Sequence, residues 1–349
     1  MKFYIGLDAH CKTSTFAVVD ESGRCVLRET VNTTEKALAH VIHKIQGERH
    51  LTFEESTISQ WLYLQLKDQV DELLVCNPVY VAKKPGAKTD FRDALHLAQE
   101  LRTDHLMPVY HDNSHWIQLR VSVSGYLDIV QEIVRFKNRL KSVFRAEVIN
   151  TDEARFYKNK ERVSELKNPS AKFVAENLYN QIEFLELEKL KFRKLFENNR
   201  KKYRPIRNLM TIPGISIIRA NIIASIVCQP DRFENKHRFW GYCMLVRHIQ
   251  KSGGRIYGNK RFYGRRELRN VFVGAAESAM RTETQLRDRY DALRVKGASH
   301  RDAKLNVARQ IASIALCLLK NNDTYNDNYL EYVKERKELR RQFYKENQH

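Results

Sequence analysis

Residues 3–10 read Phe3-Tyr4-Ile5-Gly6-Leu7-Asp8-Ala9-His10, and the fold turns on how this stretch is read. An apolar run closing on an acid is a short strand that delivers a carboxylate to the edge of a sheet. Two further strand-like runs, Thr15–Val19 and Arg24–Val31, flank Asp20-Glu21-Ser22-Gly23, a composition that marks a hairpin turn. A helix near Thr34–Gln46 follows, then a short strand at Leu51-Thr52-Phe53 ending in Glu55, a helix near Gln60–Gln69, a short strand Leu73–Cys76 and a helix from about Thr89 to Thr103. Three antiparallel strands followed by alternating helix and strand is the order of a ribonuclease-H-like α/β domain. That order puts Asp8 on a central strand.

Asp90 and Asp93 fall three apart in Lys88-Thr89-Asp90-Phe91-Arg92-Asp93-Ala94, a spacing that sets both carboxylates on one helical face. With Asp8 and Glu55 they make four acids able to address one spot. Hard divalent cations such as Mg²⁺ or Mn²⁺ take carboxylate oxygens, and two ions about 3.5–4 Å apart clamp the attacking and leaving oxygens of a phosphodiester reaction. Carboxylates buried this close repel one another without a cation. Any one of the four, taken alone, reads as a helix cap or turn residue; the set argues for a metal centre. His10 beside Asp8 reads as a hydrogen-bonded bystander, and Thr13 and Ser14 read equally as phosphate contacts and as strand caps.

The 349 residues carry 61 Lys and Arg against 42 Asp and Glu, a formal charge of +19. Such a bias selects a polyanionic partner. The basic residues interleave with Tyr and Gly and form no amphipathic helix beside a hydrophobic anchor, so nucleic acid is favoured over an anionic membrane. No run approaches the roughly 20 apolar residues of a membrane span, and the opening Met1–Asp8 segment does not read as a signal peptide; the expected location is cytoplasmic, with no membrane partner. The six cysteines are scattered without the short spacings of zinc or redox motifs, and they read as reduced.

The period changes beyond the α/β region, which is assigned to 1–110. Leu119, Val123, Tyr126, Val130, Ile133, Leu140 and Phe144 follow four-three spacing interrupted at Lys137, and Leu178, Ile182, Leu185, Phe192 and Phe196 repeat it with Lys189 at the polar step. This predicts a coiled-coil-like middle over 111–203, two long helices joined by a polar linker at 150–170, and homo-oligomer contacts in a dimer or tetramer. A mainly helical third region is expected over 204–325, where Thr211-Ile212-Pro213-Gly214-Ile215-Ser216 makes a tight turn into an apolar helix, Ile217–Val227. The N-terminus of that helix is either a phosphate seat or a plain connection capped by Ser216. A basic helical tail is expected over 326–349.

Within the third region, residues 251–269 pack seven basic residues, one acid, four glycines and three aromatics. Glycines let a phosphate chain approach the backbone while guanidinium and ammonium groups neutralise it. Lys251, Arg255, Lys260, Arg261, Arg265, Arg266 and Arg269 are the candidate nucleic-acid contacts. Ser252 sits among them in Ser252-Gly253-Gly254. A serine hydroxyl is a weak nucleophile until its surroundings stabilise the charge it creates on phosphorus, and alone a Ser-Gly-Gly element is an ordinary loop. Tyr257 and Tyr263 read as stacking or packing residues.

Asp8 in Gly-Leu-Asp-Ala-His, Glu55 in Glu-Ser-Thr, Asp90 and Asp93 in Lys-Thr-Asp-Phe-Arg-Asp-Ala, Ile212-Pro213-Gly214-Ile215, and Ser252-Gly253-Gly254 ahead of Leu268-Arg269 together resemble the insertion sequence 110 family of transposases. The chain departs from the family's pattern at Ile58-Ser59, where a glycine is usual, and at Gly241–Arg247, where a Gly-Leu-x-Pro turn is usual. The resemblance implies a RuvC-like N-terminal domain, a coiled coil and a C-terminal transposase domain. It further implies that Asp8, Glu55, Asp90 and Asp93 bind Mg²⁺, that Ser252 forms a covalent phosphoserine link to DNA, and that a structured bridge RNA pairs with donor and target DNA. In such a scheme base pairing reads sequence while protein contacts go to backbone and shape. Rival expectations are a protein-only DNA invertase, a RuvC-like metal-dependent junction nuclease in which the serine is inert, and a non-catalytic nucleic-acid-binding protein.

Overall fold

The structure is a computed structural model that describes residues 1–81, 89–112, 116–153, 156–261 and 264–326; for residues 117, 247–251, 256 and 259–261 it describes the backbone alone. The expected tail beyond 326, and Tyr263, lie outside the described residues. The chain forms two compact units, Met1–Ser114 and His115–His349.

The first unit runs β1 (Lys2–Ala9), β2 (Thr13–Val19), β3 (Cys25–Asn32), α1 (Glu35–His43), β4 (Glu48–Glu54), α2 (Ser59–Leu66), β5 (Glu72–Cys76) and α3 (Asp90–Arg102). Its five strands form one sheet in the order β3-β2-β1-β4-β5. β1 pairs antiparallel with β2 and parallel with β4, so the sheet is mixed and β1 is central. The turn after Asp20 is an Asx turn: the Asp20 carboxylate accepts from the Ser22 and Arg24 backbone N–H groups, each at 3.0 Å.

The two faces of this sheet differ in a way that positions the acids. Successive strand residues alternate sides. Ile5, Leu7, Phe16, Val18, Leu51 and Phe53 join Leu38, Val41 and Ile42 of α1 and Leu62 and Leu66 of α2 in one core cluster. On the opposite face Gly6 pairs with Ala17 and Asp8 with Thr15, and α3 packs over β1 and β2. A Cβ at Gly6 would fall on the Ala94 carbonyl oxygen and within 2.6 Å of the Ala98 nitrogen. Gly6 is thus required by close approach of helix to strand, and that approach carries the first turn of α3 toward the end of β1.

The second unit begins with α4 (Trp116–Ala146) and α5 (Pro169–Lys202), which pack side by side. The interruption at Lys137 and the polar step at Lys189 meet across the pair: Lys137 donates to Glu186 at 2.9 Å, and Lys189 also pairs with Glu186. The connecting segment is more ordered than its polarity suggests. Phe156, Val163 and Leu166 are buried with Leu140, Phe144, Leu178, Tyr179 and Ile182, because scattered apolar side chains in a polar run still find a core, and the Tyr179 hydroxyl donates to the Phe156 carbonyl at 2.9 Å.

There follow α6 (Arg204–Met210), α7 (Ile217–Val227), α8 (Lys236–Tyr242), the hairpin β6 (Arg247–Ser252) and β7 (Arg255–Arg261), then α9 (Arg266–Ala279), α10 (Gln285–Val295) and α11 (His300–Asn321). Their core gathers Ile206, Leu209, Ile223, Phe239, Phe272, Val307, Ile311 and Leu318, all fully buried. The Pro-Gly turn between α6 and α7 places Gly214 at φ +85°, where a Cβ would strike the Ala275 carbonyl oxygen of α9. Arg219 donates to the Gly214 carbonyl and, at 2.9 Å, to the Ser278 hydroxyl, which locks the turn against α9. Ser216 stands at the N-cap of α7 without a side-chain cap hydrogen bond.

Candidate functional site

In the first unit the chemistry gathers where β1, β4 and α3 end or begin. Asp8 lies near the C-terminal end of β1, and Asp90 and Asp93 occupy the first turn of α3, whose N-cap Thr89 accepts from the Arg92 backbone N–H. The positive end of the helix dipole favours carboxylates there with or without an ion. The structure brings Asp8 and Asp90 together and adds a third donor: atoms of Asp8, His10 and Asp90 all lie within 4.8 Å of one another. His10 Nε2 stands 3.5 Å from Asp8 Oδ2 and 3.9 Å from Asp90 Oδ1. Asp93 and Glu55 fall outside this three-donor group.

Glu55 is placed one residue beyond β4, which ends at Glu54. There its Oε2 meets Nε2 of the buried His111 at 2.5 Å. The other ring nitrogen of His111 faces Gln60 Oε1 at 3.0 Å, and the Gln60 amide donates to the Asp112 carbonyl at 3.0 Å. Glu55 and Gln60 thus hold the two ring nitrogens of His111 from opposite sides. The pleat meanwhile sends Glu54 to the same face of the sheet as Asp8, because Thr52 pairs with Gly6 and side chains alternate. His111 and Glu54 are residues that reading the sequence missed. No signal in the linear pattern points to His111, since it lies more than fifty residues from Glu55 and follows no motif, whereas Glu54 was visible as the neighbour of Glu55.

The donor set fits a divalent cation. Two carboxylates and an imidazole, partly exposed at 22%, 59% and 59%, leave room for solvent ligands, and carboxylate oxygens are what hard cations select. Asp8, Asp90 and His10 would hold such an ion as arranged, with Asp93 and Glu55 near the same sheet edge.

In the second unit Ser252 and Arg255 face one another as the paired residues that close the β6–β7 hairpin. Gly253 and Gly254 form its tip at φ +55° and +78°, the positive dihedrals a two-residue primed turn demands. Ser252 and Arg255 are exposed, as are Arg265 and Arg266, with Arg269 half-buried on α9. The side chains of Lys251, Lys260 and Arg261 lie outside the described residues. Ahead of α9 the Arg265 N–H donates to the Tyr242 carbonyl at 2.8 Å, and a Cβ at Gly264 would strike the same oxygen.

A mixed sheet with Asp8 and Asp90 close together is followed by a helical unit with an exposed Ser252 at a hairpin tip; comparison with known families defines the class as transposase. Residues 5–148 match a family model described as a transposase, of the DEDD type of IS110, and residues 206–291 match one described as "Transposase IS116/IS110/IS902 family". By these two domains the chain belongs to the IS110 family of transposases. It is similar to the "Insertion element IS110 uncharacterized 43.6 kDa protein" of Streptomyces coelicolor, 26% identical over 118 residues. That match covers 34% of this chain and 29% of the relative, so the chain spans under a third of that protein's length. Among the described residues no helix is long and apolar enough to cross a membrane.

Proposed function

We propose that this chain is a DNA recombinase that cuts and rejoins strands through Ser252, with a divalent metal held at the acidic centre and a structured guide RNA selecting donor and target DNA. The observation that carries the reading is the convergence of Asp8 and Asp90, remote in sequence, on one spot in a chain whose two matched domains are those of transposases. The strand order β3-β2-β1-β4-β5 is compatible with the ribonuclease-H-like, RuvC-like domain expected for it.

The Ser252 hydroxyl oxygen attacks a backbone phosphorus, forming an Oγ–P ester while one P–O bond of the DNA breaks and the departing sugar hydroxyl takes up the proton. Attack by a hydroxyl from a second strand reverses the exchange, rejoins DNA and restores the serine. Bond count is conserved, so no nucleotide cofactor is consumed. Exposure at a two-glycine tip lets Ser252 approach a phosphate without steric cost, and Arg255 beside it supplies positive charge to the pentacoordinate intermediate. A bound Mg²⁺ or Mn²⁺ would supply Lewis-acid charge neutralisation at the acidic centre. Asp8, Glu55, Asp90 and Asp93 are the acids assigned to it. The net charge of +19 suits contacts to DNA and RNA backbones, and assembly as a dimer or tetramer is assigned to the α4–α5 pair, where Phe173, Phe184, Leu187 and Leu190 are exposed.

The test is a suicide DNA substrate, with protein and any RNA that co-purifies through high salt. Wild-type protein is expected to give a denaturant-stable protein–DNA adduct that Ser252→Ala abolishes while its thermal melt is unchanged. Hydrolysed free ends with no adduct, equally in Ser252→Ala, would replace this reading with a metal-dependent nuclease. Adduct formation with no specific RNA retained would leave a protein-only invertase.

A further inference from the structure

We infer that His10 is a metal ligand of this centre and sets its preference for Mn²⁺ over Mg²⁺. The inference rests on the metal-centre reading above and extends it to a residue outside the four acids. The distances are the first argument. At 3.5 and 3.9 Å from the Asp8 and Asp90 oxygens, His10 Nε2 is within ion-pair range of both carboxylates but longer than a usual hydrogen bond of about 2.7–3.2 Å. Those separations lie between the roughly 3 Å of adjacent and the about 4.4 Å of opposite ligands set about 2.1–2.2 Å from a metal, so small side-chain shifts bring all three donors onto one ion.

The second argument is preorganisation. His10 lies in the short connection between β1 and β2, and its backbone is held on both sides. Its N–H donates to the Thr13 carbonyl at 2.9 Å, and its carbonyl accepts from the Thr33 hydroxyl at 2.6 Å. Thr33 in turn meets the Ser14 hydroxyl at 2.8 Å, and its backbone N–H donates to the Lys12 carbonyl at 2.9 Å. A histidine with 59% of its side chain exposed would ordinarily sweep solvent. Here the backbone beneath it is fastened to Thr33, the residue that follows β3, which presents the imidazole at the mouth of the carboxylate pair.

Ligand chemistry then gives the selectivity. Mg²⁺ prefers carboxylates and water, whereas imidazole nitrogen suits the transition metals and is tolerated by Mn²⁺. Two aspartates serve Mg²⁺ and Mn²⁺ alike, so the one imidazole tilts the centre toward Mn²⁺ relative to Mg²⁺, and removing the nitrogen donor leaves a plain oxygen site.

The experiment is Mn²⁺ titration of the metal-stripped full chain, followed by the paramagnetic signal of the unbound ion and by pulsed electron paramagnetic resonance for ¹⁴N coupling on the bound ion. Wild-type protein is expected to show imidazole ¹⁴N coupling. His10→Gln is expected to lose that coupling and about tenfold in Mn²⁺ affinity, with Mg²⁺ affinity, measured by competition, little changed. Asp8→Asn is expected to abolish binding. If Asp8→Asn removes bound Mn²⁺ but wild type shows no ¹⁴N coupling, or His10→Gln retains it, the His10 assignment is overturned and the metal centre survives. If wild type binds no Mn²⁺, or Asp8→Asn binds as well as wild type, the metal-centre reading itself falls, and the inference falls with it.

Discussion

Three glycines separate two kinds of necessity. Gly6 and Gly214 are demanded by the backbone of a packed neighbour, since at each a Cβ would meet a carbonyl oxygen of α3 or α9. A Cβ at Gly253 would meet nothing within 4 Å among the described residues, so Gly253 needs only its positive φ. Gly6→Ala is therefore expected to destabilise the first unit by about 3 kcal/mol, the upper range for overpacking, whereas Gly253→Ala should cost only about 1 kcal/mol, the left-handed penalty of an L-residue. Urea denaturation of the two variants checks the contrast. At this scale the spacing in the sequence nominated four acids, and the structure brings Asp8 and Asp90 together with His10, a neighbour that spacing could not rank. His10 looks like a bystander in the chain, and only the packing of α3 sets its ring within 4.8 Å of both the Asp8 and Asp90 carboxylates. Glu55 looks equivalent to the aspartates and turns out to be engaged by His111.

At the scale of elements, α3 does most to arrange the acidic centre. It starts at Asp90 because Thr89 adopts an extended conformation and its hydroxyl accepts from the Arg92 N–H at 3.3 Å. Thr89→Ala should cost about 1 kcal/mol of stability while Thr89→Ser costs little, as measured by chemical denaturation. Because the cap also fixes where the Asp90 and Asp93 carboxylates start, Thr89→Ala is expected to weaken Mn²⁺ binding in the same titration. Most element boundaries were legible: the strand β5 predicted at Leu73–Cys76 begins one residue earlier, at Glu72, and the predicted Thr89 and Thr103 are the two caps of α3. The helix expected over Gln60–Gln69 ends at Leu66 instead, because the chain turns there, with the Gln69 N–H donating to the Leu66 carbonyl at 3.0 Å. The order in the α4–α5 connection was not legible, since polar flanks conceal buried Phe156 and Val163.

For the whole molecule, charge governs the encounter with nucleic acid. With a net +19, binding to a duplex of arbitrary sequence is expected to fall by about 10³ or more between 50 and 200 mM salt, if six or more phosphates are contacted. Fluorescence anisotropy over a salt series measures the slope, and a flat response would show that the basic residues do not meet phosphate. Composition, the strand and helix periods, the caps and the positions of the acids and Ser252 were determined by the sequence alone, because each depends on residue type and near neighbours. Which acids share a site with His10, and that His111 engages Glu55, were decided only by tertiary structure. These depend on which distant segments pack together, and Gly6 beneath Ala94 and Gly264 beside Tyr242 are close approaches that no local period encodes.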